Sequence, residues 1–491
     1  MTSNNTPKRE KLKTIVVGSG PGGTGFIKRA LERSDADTFE WFEEGRMKKV
    51  VTNWPNDYAS KKSKHYLHHV QRKSSKILKA ARFCTFGGGG VANSGGPLIL
   101  LSSTDPRLQA AISTHGNTFL KEEICSHAVK DPTSDSWMKR YINIGYNAQP
   151  HFLTHHNSVE DRNVGYGATT FRDGNRTQVA RDVLKSDRVV LHLGKRVKRV
   201  LFDSQKRAIG VELSDCTKQY ADRVVLAGGV FGTYEILVHS GIGSAKDIKT
   251  AGVKTVIVDE TVGRSIGDDS GVMFFHKGGR SESNKASHGA DIFAIRGDKY
   301  SITHWGRIVF DALSLSIPMK FRWNSLLRNF FNGVSLVKVD LPARYNMSLS
   351  LSQNRALLLD DTKDKLNNFC LHDEDFAVLK QAQSPPIIIS MLSRLFGLLY
   401  ITPKKKIASG QRVSNFHFHG GTQEITSKQF SVKGTKGLYI SDASVTNGYR
   451  FGAPTTNIYL IGFAVADSIY DNLEGLTKDL TYYNSDKDEE L

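Results

Sequence analysis

The 491-residue chain is poor in cysteine and in acids. Its four cysteines, Cys84, Cys125, Cys216 and Cys370, stand apart with no C-x-x-C pair. That spacing excludes a disulfide framework and reads as buried thiols in a reducing compartment. Acids number 49 against 67 lysines and arginines, a net charge of +18. Such an excess suits nucleic acid, a membrane surface or an anionic substrate. No arginine block with interleaved aromatics, no zinc-finger spacing and no RNP-like run is present, so nucleic acid is set aside as a partner. Met1 to Lys11 has no apolar core of the secretory kind and reads as a disordered lead, residues 1–11. The closing residues 481–491 read as an acidic tail, resembling an ER-retention ending only superficially. The expected location is therefore the cytoplasm, with contact at a membrane periphery as an option. There is no internal repeat, and the length calls for about two to four domain-sized units.

What is present begins at once. Thr14-Ile15-Val16-Val17 is a β-branched run bounded by glycine, as a buried first strand should be. Gly18, Gly20 and Gly23 follow in G-x-G-x-x-G spacing, then a helical pattern from Thr24 to Arg33. The first glycine permits a tight turn, the second lets a pyrophosphate approach the backbone, and the third allows close helix-on-strand packing. The helix N-terminus would face the phosphates with free N–H groups. Glu43 closes a second strand, Thr38 to Phe42, where an acid takes the ribose hydroxyls of an adenine dinucleotide. The basic stretch onward to Arg82, with His65, His68 and His69, reads as a solvated surface connection.

Gly87 to Gly90 are four consecutive glycines, followed by Asn93, Gly95 and Gly96. Ordering such a run costs much backbone entropy, and a flexible linker would carry polar company that this one lacks. A backbone pressed against a large flat ligand explains it better. The motif G-G-x-x-x-x-N from Gly87 to Asn93, together with G-S-G-P-G-G and Glu43-Glu44-Gly45, resembles the flavin-contacting motifs of the glucose–methanol–choline (GMC) oxidoreductase family. A central block agrees, running from Asp173-Gly174-Asn175-Arg176 through Val224–Gly229 and Ser240-Gly241-Ile242-Gly243 to Val262-Gly263-Arg264-x-x-x-Asp268. So does Gly437 to Val445 with the run to Tyr459. These ordered blocks cover roughly half of the chain and are far more specific together than singly.

Alternating short apolar strands and helices give a doubly wound parallel sheet on their own account. The resemblance implies the same α/β class: a discontinuous Rossmann-like FAD-binding domain with an inserted α+β substrate-binding domain. Residues 12–125, 160–281 and 409–480 fall to the first, and 126–159 and 282–408 to the second. It further implies FAD, with Gly18, Gly20 and Gly23 on the pyrophosphate, Glu43 on the ribose and Val197 at the adenine. Gly87, Gly88 and Asn93 would lie along the pyrophosphate and flavin, and Asp442, Ala443 and Thr455 would close over them. Gly87 to Gly96 contains no histidine for a covalent link, so the implied FAD is non-covalent.

For chemistry, the family pattern selects Asn415-Phe416-His417-Phe418-His419-Gly420-Gly421-Thr422. His417 satisfies the family's H-x-x-G-G-T and H-x-H-G-G forms and is expected to be the base, with His419 facing the same side of an extended strand. No third ligand accompanies H-x-H, so no metal is expected. One position departs from the pattern: Ala453, before Pro454, stands where the family carries a second catalytic histidine or asparagine. Asn457, His419, Asn447, Tyr449 or Arg450 would have to substitute. Three functions stay open: oxidation of an alcohol with oxygen or another electron acceptor, a non-redox lyase of hydroxynitrile-lyase type, or a silent FAD-stabilised binding protein. Two apolar-basic stretches, Ile317–Phe331 and Ile387–Lys406, suggest an anionic membrane surface and a lipophilic small-molecule substrate.

Overall fold

The computed structural model describes residues 11–47, 67–73, 80–92, 100–101, 103, 105–119, 132–152, 154–155, 162–167, 170–172, 175–277, 292–297, 299–305, 334–360, 369–381, 405–407, 413–446 and 454–478. In chain order the elements used below are β1 (Lys13–Val17), α1 (Pro21–Arg33), β2 (Thr38–Glu43), β3 (Val189–Leu193), β4 (Arg223–Leu226), α2 (Gly229–His239), β5 (Ile266–Lys277), β6 (Ile292–Arg296), β7 (Tyr300–Trp305), β8 (Val334–Ser352), β9 (Val413–Ser414), β10 (Leu438–Ile440) and α3 (Thr455–Lys478).

Five of these strands form a parallel sheet in the order β3-β2-β1-β4-β10. Parallel strands covered on both faces read as continuous apolar runs, and Ile15, Val16, Val224, Val225 and Leu226 are all fully buried. The strands come from three distant parts of the chain, so the layer is discontinuous, as expected.

A second, ten-stranded sheet runs in the order 80–83, 67–73, 355–360, β8, β7, β6, 162–167, 147–152, with β5 paired to β8 and β9 to β5. Along β8 the side chains alternate. Val337, Val339 and Leu341 enter an apolar core with Trp137 and Tyr141 of the helix Pro132–Asn143. Lys338 and Asp340 lie on the opposite face, opposite Thr303 and Ser301 of β7. This sheet draws in 67–73, 80–83, 162–167, β5 and β9, which the sequence division places with the first layer. Period-two patterns reveal a strand but not its sheet, because partner choice is long-range. For the same reason His68 and His69 lie in a paired strand, Leu67–Lys73, rather than in a surface connection. Of the cysteines, Cys84 is buried but Cys216 and Cys370 are exposed, which corrects the expectation of buried thiols. Cys216 sits at a turn with φ 67°.

The two ends of the first layer meet at one helix crossing. A Cβ on Gly25 of α1 would lie 2.1 Å from the Tyr459 carbonyl oxygen, and one on Gly462 of α3 would lie 2.3 Å from the Phe26 nitrogen. Backbone therefore touches backbone, with Arg29–Asp467 (2.7 Å) closing the flank. Among the described residues no helix is long and apolar enough to cross a membrane. The stretches 317–331 and 387–401, Asn93, Asn447, Tyr449, Arg450 and Ala453 lie outside the described residues.

An alanine normally stabilises a helix over glycine by about 1 kcal/mol. Gly462→Ala should do the reverse, lowering stability by about 1–3 kcal/mol through overpacking. Urea unfolding followed by circular dichroism reads the sign; a gain in stability would mean that the two helices are free to separate.

Candidate active site

The first part of the site is a cradle of glycines. Gly18, at φ 103°, turns the chain so that its N–H donates to the Phe42 carbonyl oxygen at 2.8 Å. A Cβ there would meet the Ala227 carbonyl oxygen at 2.2 Å, and one on Gly23 would meet the Gly18 oxygen at 2.2 Å. Only glycine closes this strand–turn–helix junction. Gly20 differs from both: a Cβ on it would meet nothing within 4 Å. The turn is thus packed tight on its protein side and open at its middle glycine, where a ligand's phosphates need room. No side chain caps α1, whose first turn begins with Pro21, so its leading N–H groups remain for an anion.

The second glycine run folds onto the first. The Gly87 N–H donates to Ser19 Oγ at 3.0 Å, and a Cβ on Gly88 would lie 2.9 Å from Gly20 Cα. Glu43 is buried and accepts from the Ser19 N–H (3.0 Å), the Ser19 hydroxyl (2.5 Å) and the Gly45 N–H (2.7 Å). Asp442 is buried and accepts from the Ser444 and Gly229 N–H groups and from the Thr233 hydroxyl. Burial raises both carboxyls above their ordinary values despite these donors. Val197 is buried at the start of the strand Val197–Phe202. Ala443, Thr455 and Asn457 are buried as well, the last two in the first turn of α3.

The histidines sit where both sheets meet this cradle. The Gly420 N–H donates to the Ala443 carbonyl oxygen at 2.9 Å, and the Thr422 N–H to that of Ser444 at 3.0 Å. On the other side the His419 and Gly267 backbones exchange hydrogen bonds, and the His417 N–H donates to Asp268 at 3.0 Å. The stretch is not one extended strand, as the sequence suggests. The continuous strand ends at Ser414, Phe416 takes a left-handed φ of 60°, and pairing returns only as a single bridge at His419. That turn brings His417 Nδ1 to 2.8 Å from Asp269 Oδ1 and Asn415 Nδ2 to 2.8 Å from Asp269 Oδ2.

The two rings are therefore unlike. The His417 side chain is 23% exposed and no described residue bonds its Nε2, whereas His419 is 1% exposed and its Nδ1–H donates to the His417 carbonyl oxygen at 2.8 Å. Burial alone would lower the His417 pKa, but the Asp269 carboxylate outweighs it and holds the imidazole above its ordinary value. For Asp269 burial works upward, and His417 outweighs it to hold the acid low. For His419 burial outweighs the backbone bond to His417 and the pull of Asp269, and drives it down to about 4. One ring is a partly open acid–base group backed by a carboxylate; the other is neutral and enclosed. Asp269 was legible only as the second of two acids, Asp268-Asp269, at the end of the arginine block. Its partner lies 148 residues onward, a distance that no spacing rule bridges.

Residues 107–269 match the family model described as GMC oxidoreductase. Patulin synthase of Aspergillus clavatus is 30% identical over 104 residues, 20% of this chain and 17% of that protein. Ecdysone oxidase of Bombyx mori is 29% identical over 146 residues, 28% of this chain and 21% of its own length. The chain thus aligns with only about a fifth of either relative. Among solved structures, pyridoxine 4-oxidase from Mesorbium loti superposes with a TM-score of 0.67 at 14% identity, covering 94% of this chain and 99% of that one. A fungal aryl-alcohol oxidase does so with a TM-score of 0.62 at 13% identity, covering 95% and 100%. At these identities the likeness establishes the fold alone.

The unlike rings give a direct test. In a histidine NMR titration, assigned by the signals lost in His417→Gln and His419→Gln, His417 should titrate above the ordinary 6.5. His419 should stay neutral until about pH 4. A His419 midpoint at or above that of His417 would reverse the roles.

Proposed function

From a chain that belongs to the GMC oxidoreductase family, we propose an FAD-dependent oxidoreductase that takes a hydride from the carbinol carbon of an alcohol. The observation that carries this reading is the His417–Asp269 pair, hydrogen-bonded through its own stretch to the loop after β10. The residues fit the cofactor: Gly20 leaves open space, Gly88 lies against it, α1 offers uncapped N–H groups, and Glu43 and Asp442 line the floor. Val197, Ala443 and Thr455 would complete the binding, without a covalent bond. FAD, when bound, supplies the hydride acceptor at its N5. His417 receives the hydroxyl proton at Nε2 as the carbon loses its hydride, while its Nδ1–H remains on Asp269. The alcohol becomes a carbonyl compound, and two electrons stay behind for oxygen or another acceptor. The solved fungal aryl-alcohol oxidase and formate oxidase share the fold, which makes oxidase chemistry the first to try.

A second reading is a non-redox lyase. It is favoured by the H-x-H-G-G run and by a His417 that gains rather than loses proton affinity, and so can act as an acid.

Purified protein should be yellow and release FAD on denaturation, and an alcohol added without oxygen should bleach it. Gly20→Val should fold and yet be colourless, because its side chain meets only the space left for the phosphates. His417→Ala should keep the colour and lower turnover by roughly 10²–10⁴-fold. A base must be unprotonated, so kcat/KM should rise with pH through a midpoint above about 6.5. Product without bleaching would select the lyase, and a colourless wild-type protein would defeat both readings.

A further inference from the structure

We propose that Asn415 is a positioning residue for the active-site base: with one hydrogen bond from Nδ2 to Asp269 and another to Asp340, it fixes the carboxylate that orients His417, and Lys338 compensates the farther acid. The inference deepens the base assignment made above and rests on it.

The geometry is built for this purpose. Asn415 Nδ2 lies 2.8 Å from Asp269 Oδ2 and 2.8 Å from Asp340 Oδ1. Two carboxylates on one nitrogen settle which end of the amide is the NH2 group, since an oxygen there could bond neither. Asp269 then holds His417 Nδ1 with its other oxygen, at 2.8 Å. With both oxygens engaged, the carboxylate plane cannot turn about its own axis, and the imidazole is held to one tautomer. Asp340 is held in turn by Lys338 Nζ at 2.7 Å. Asp340 thus has a cation and Asp269 the His417 ring, and the amide separates the two pairs. Asp269, Asp340 and Lys338 are largely buried, where an acid without a partner is strongly destabilising.

Room for the amide comes from a glycine. A Cβ on Gly271 would lie 2.9 Å from Lys338 Cε, 3.0 Å from Asn415 Oδ1 and 3.3 Å from Asp340 Oδ1. Asn415 Oδ1 is buried, accepts no hydrogen bond from the described residues, and projects over this bare spot in β5. An orphaned acceptor is tolerated here because the two Nδ2 bonds dictate its direction. The charged groups around His417 among the described residues are Asp268 and Asp269 from β5, Lys338 and Asp340 from β8, and the neutral His419 from its own stretch.

The His417 titration tests the inference apart from any turnover. Asn415→Leu releases the Asp269 carboxylate, so the His417 midpoint should fall by about one unit, towards or below 6.5. Lys338→Met removes a cation that opposes protonation of His417, so the midpoint should rise. Gly271→Ala, a smaller change, should displace the amide and move the midpoint in the direction of Asn415→Leu; it decides the matter if the leucine variant does not fold. With an alcohol substrate, Asn415→Leu should lower kcat by roughly 10- to 100-fold with little change in KM. An unmoved His417 midpoint in both Asn415→Leu and Gly271→Ala, or a shift of the same sign in Lys338→Met, would overturn the inference. Midpoints that move as stated in a protein that oxidises no alcohol would leave the clamp standing and fail the proposed function instead.

Discussion

The architecture depends on the backbone contact between α1 and α3. At its centre Gly25 and Gly462 leave no side chain between the backbones, so Gly25 reaches the Tyr459 carbonyl, and Gly22 of α1 likewise reaches the Ser441 carbonyl just after β10. Side chains of any size would hold the helices several ångströms farther apart. The contact ties the first βα unit to the last strand and helix, across more than four hundred residues of intervening chain. Once it is made, the loop after β10 has one position relative to the glycine turn, and the histidine stretch bonded to that loop is placed with it. Ordering so distant a pair of segments carries a large loop-closure cost, offset by the burial of α3 residues such as Leu460, Ile461, Val465 and Tyr470.

A second constraint is the way buried charge is handled. Arg223 and Asp37, 5% and 0% exposed, pair at 2.6 Å under the first sheet, with Thr14 and Tyr470 taking further hydrogen bonds. Arg82, Arg196 and Arg355 converge on Glu44 and Glu235, linking β2, α2 and the strand Arg355–Asp360 of the second sheet. In a protein of net charge +18 acids are outnumbered, and Asp37, Glu44 and Glu235 are held in these internal pairs. The positive excess is thereby left to the other basic residues, while the interior approaches neutrality pair by pair.

The sequence was legible wherever function is written locally. The βαβ opening, the glycine turn and Glu43 obey spacing rules set by one turn of helix and one strand, and each lies where expected. The stretch that the family motifs select, with His417 in it, is hydrogen-bonded to the loop after β10. What stayed hidden is the set of long-range pairings. Asp269, Asn415, Lys338 and Asp340 come from three segments, and only the register of β5 on β8 brings Gly271 opposite Asp340. Sheet membership was hidden for the same reason: β5 carries a family motif at its start and yet pairs in the second sheet. Local pattern fixes an element's type, whereas its partner is chosen by the rest of the chain.

Phe416 shows how local strain serves that pairing. A bulky residue with φ 60° is an uncommon conformation, costing about 1–3 kcal/mol, and its side chain is left 47% exposed. In an extended strand Asn415 and His417 would lie about 7 Å apart, too far to share one carboxylate. The left-handed residue between them folds both side chains onto Asp269, one to each oxygen. The strain persists because both neighbours are held: Asn415 through its N–H on the Asp269 carbonyl, at 3.2 Å, and His417 through its N–H on Asp268. A glycine at 416 would relieve the strain but widen the choice of conformations that the unfolded chain gives up. The bend thus converts two adjacent acids of β5 into separate anchors, Asp268 for the backbone and Asp269 for the ring, with Nε2 of His417 bonded by no described residue.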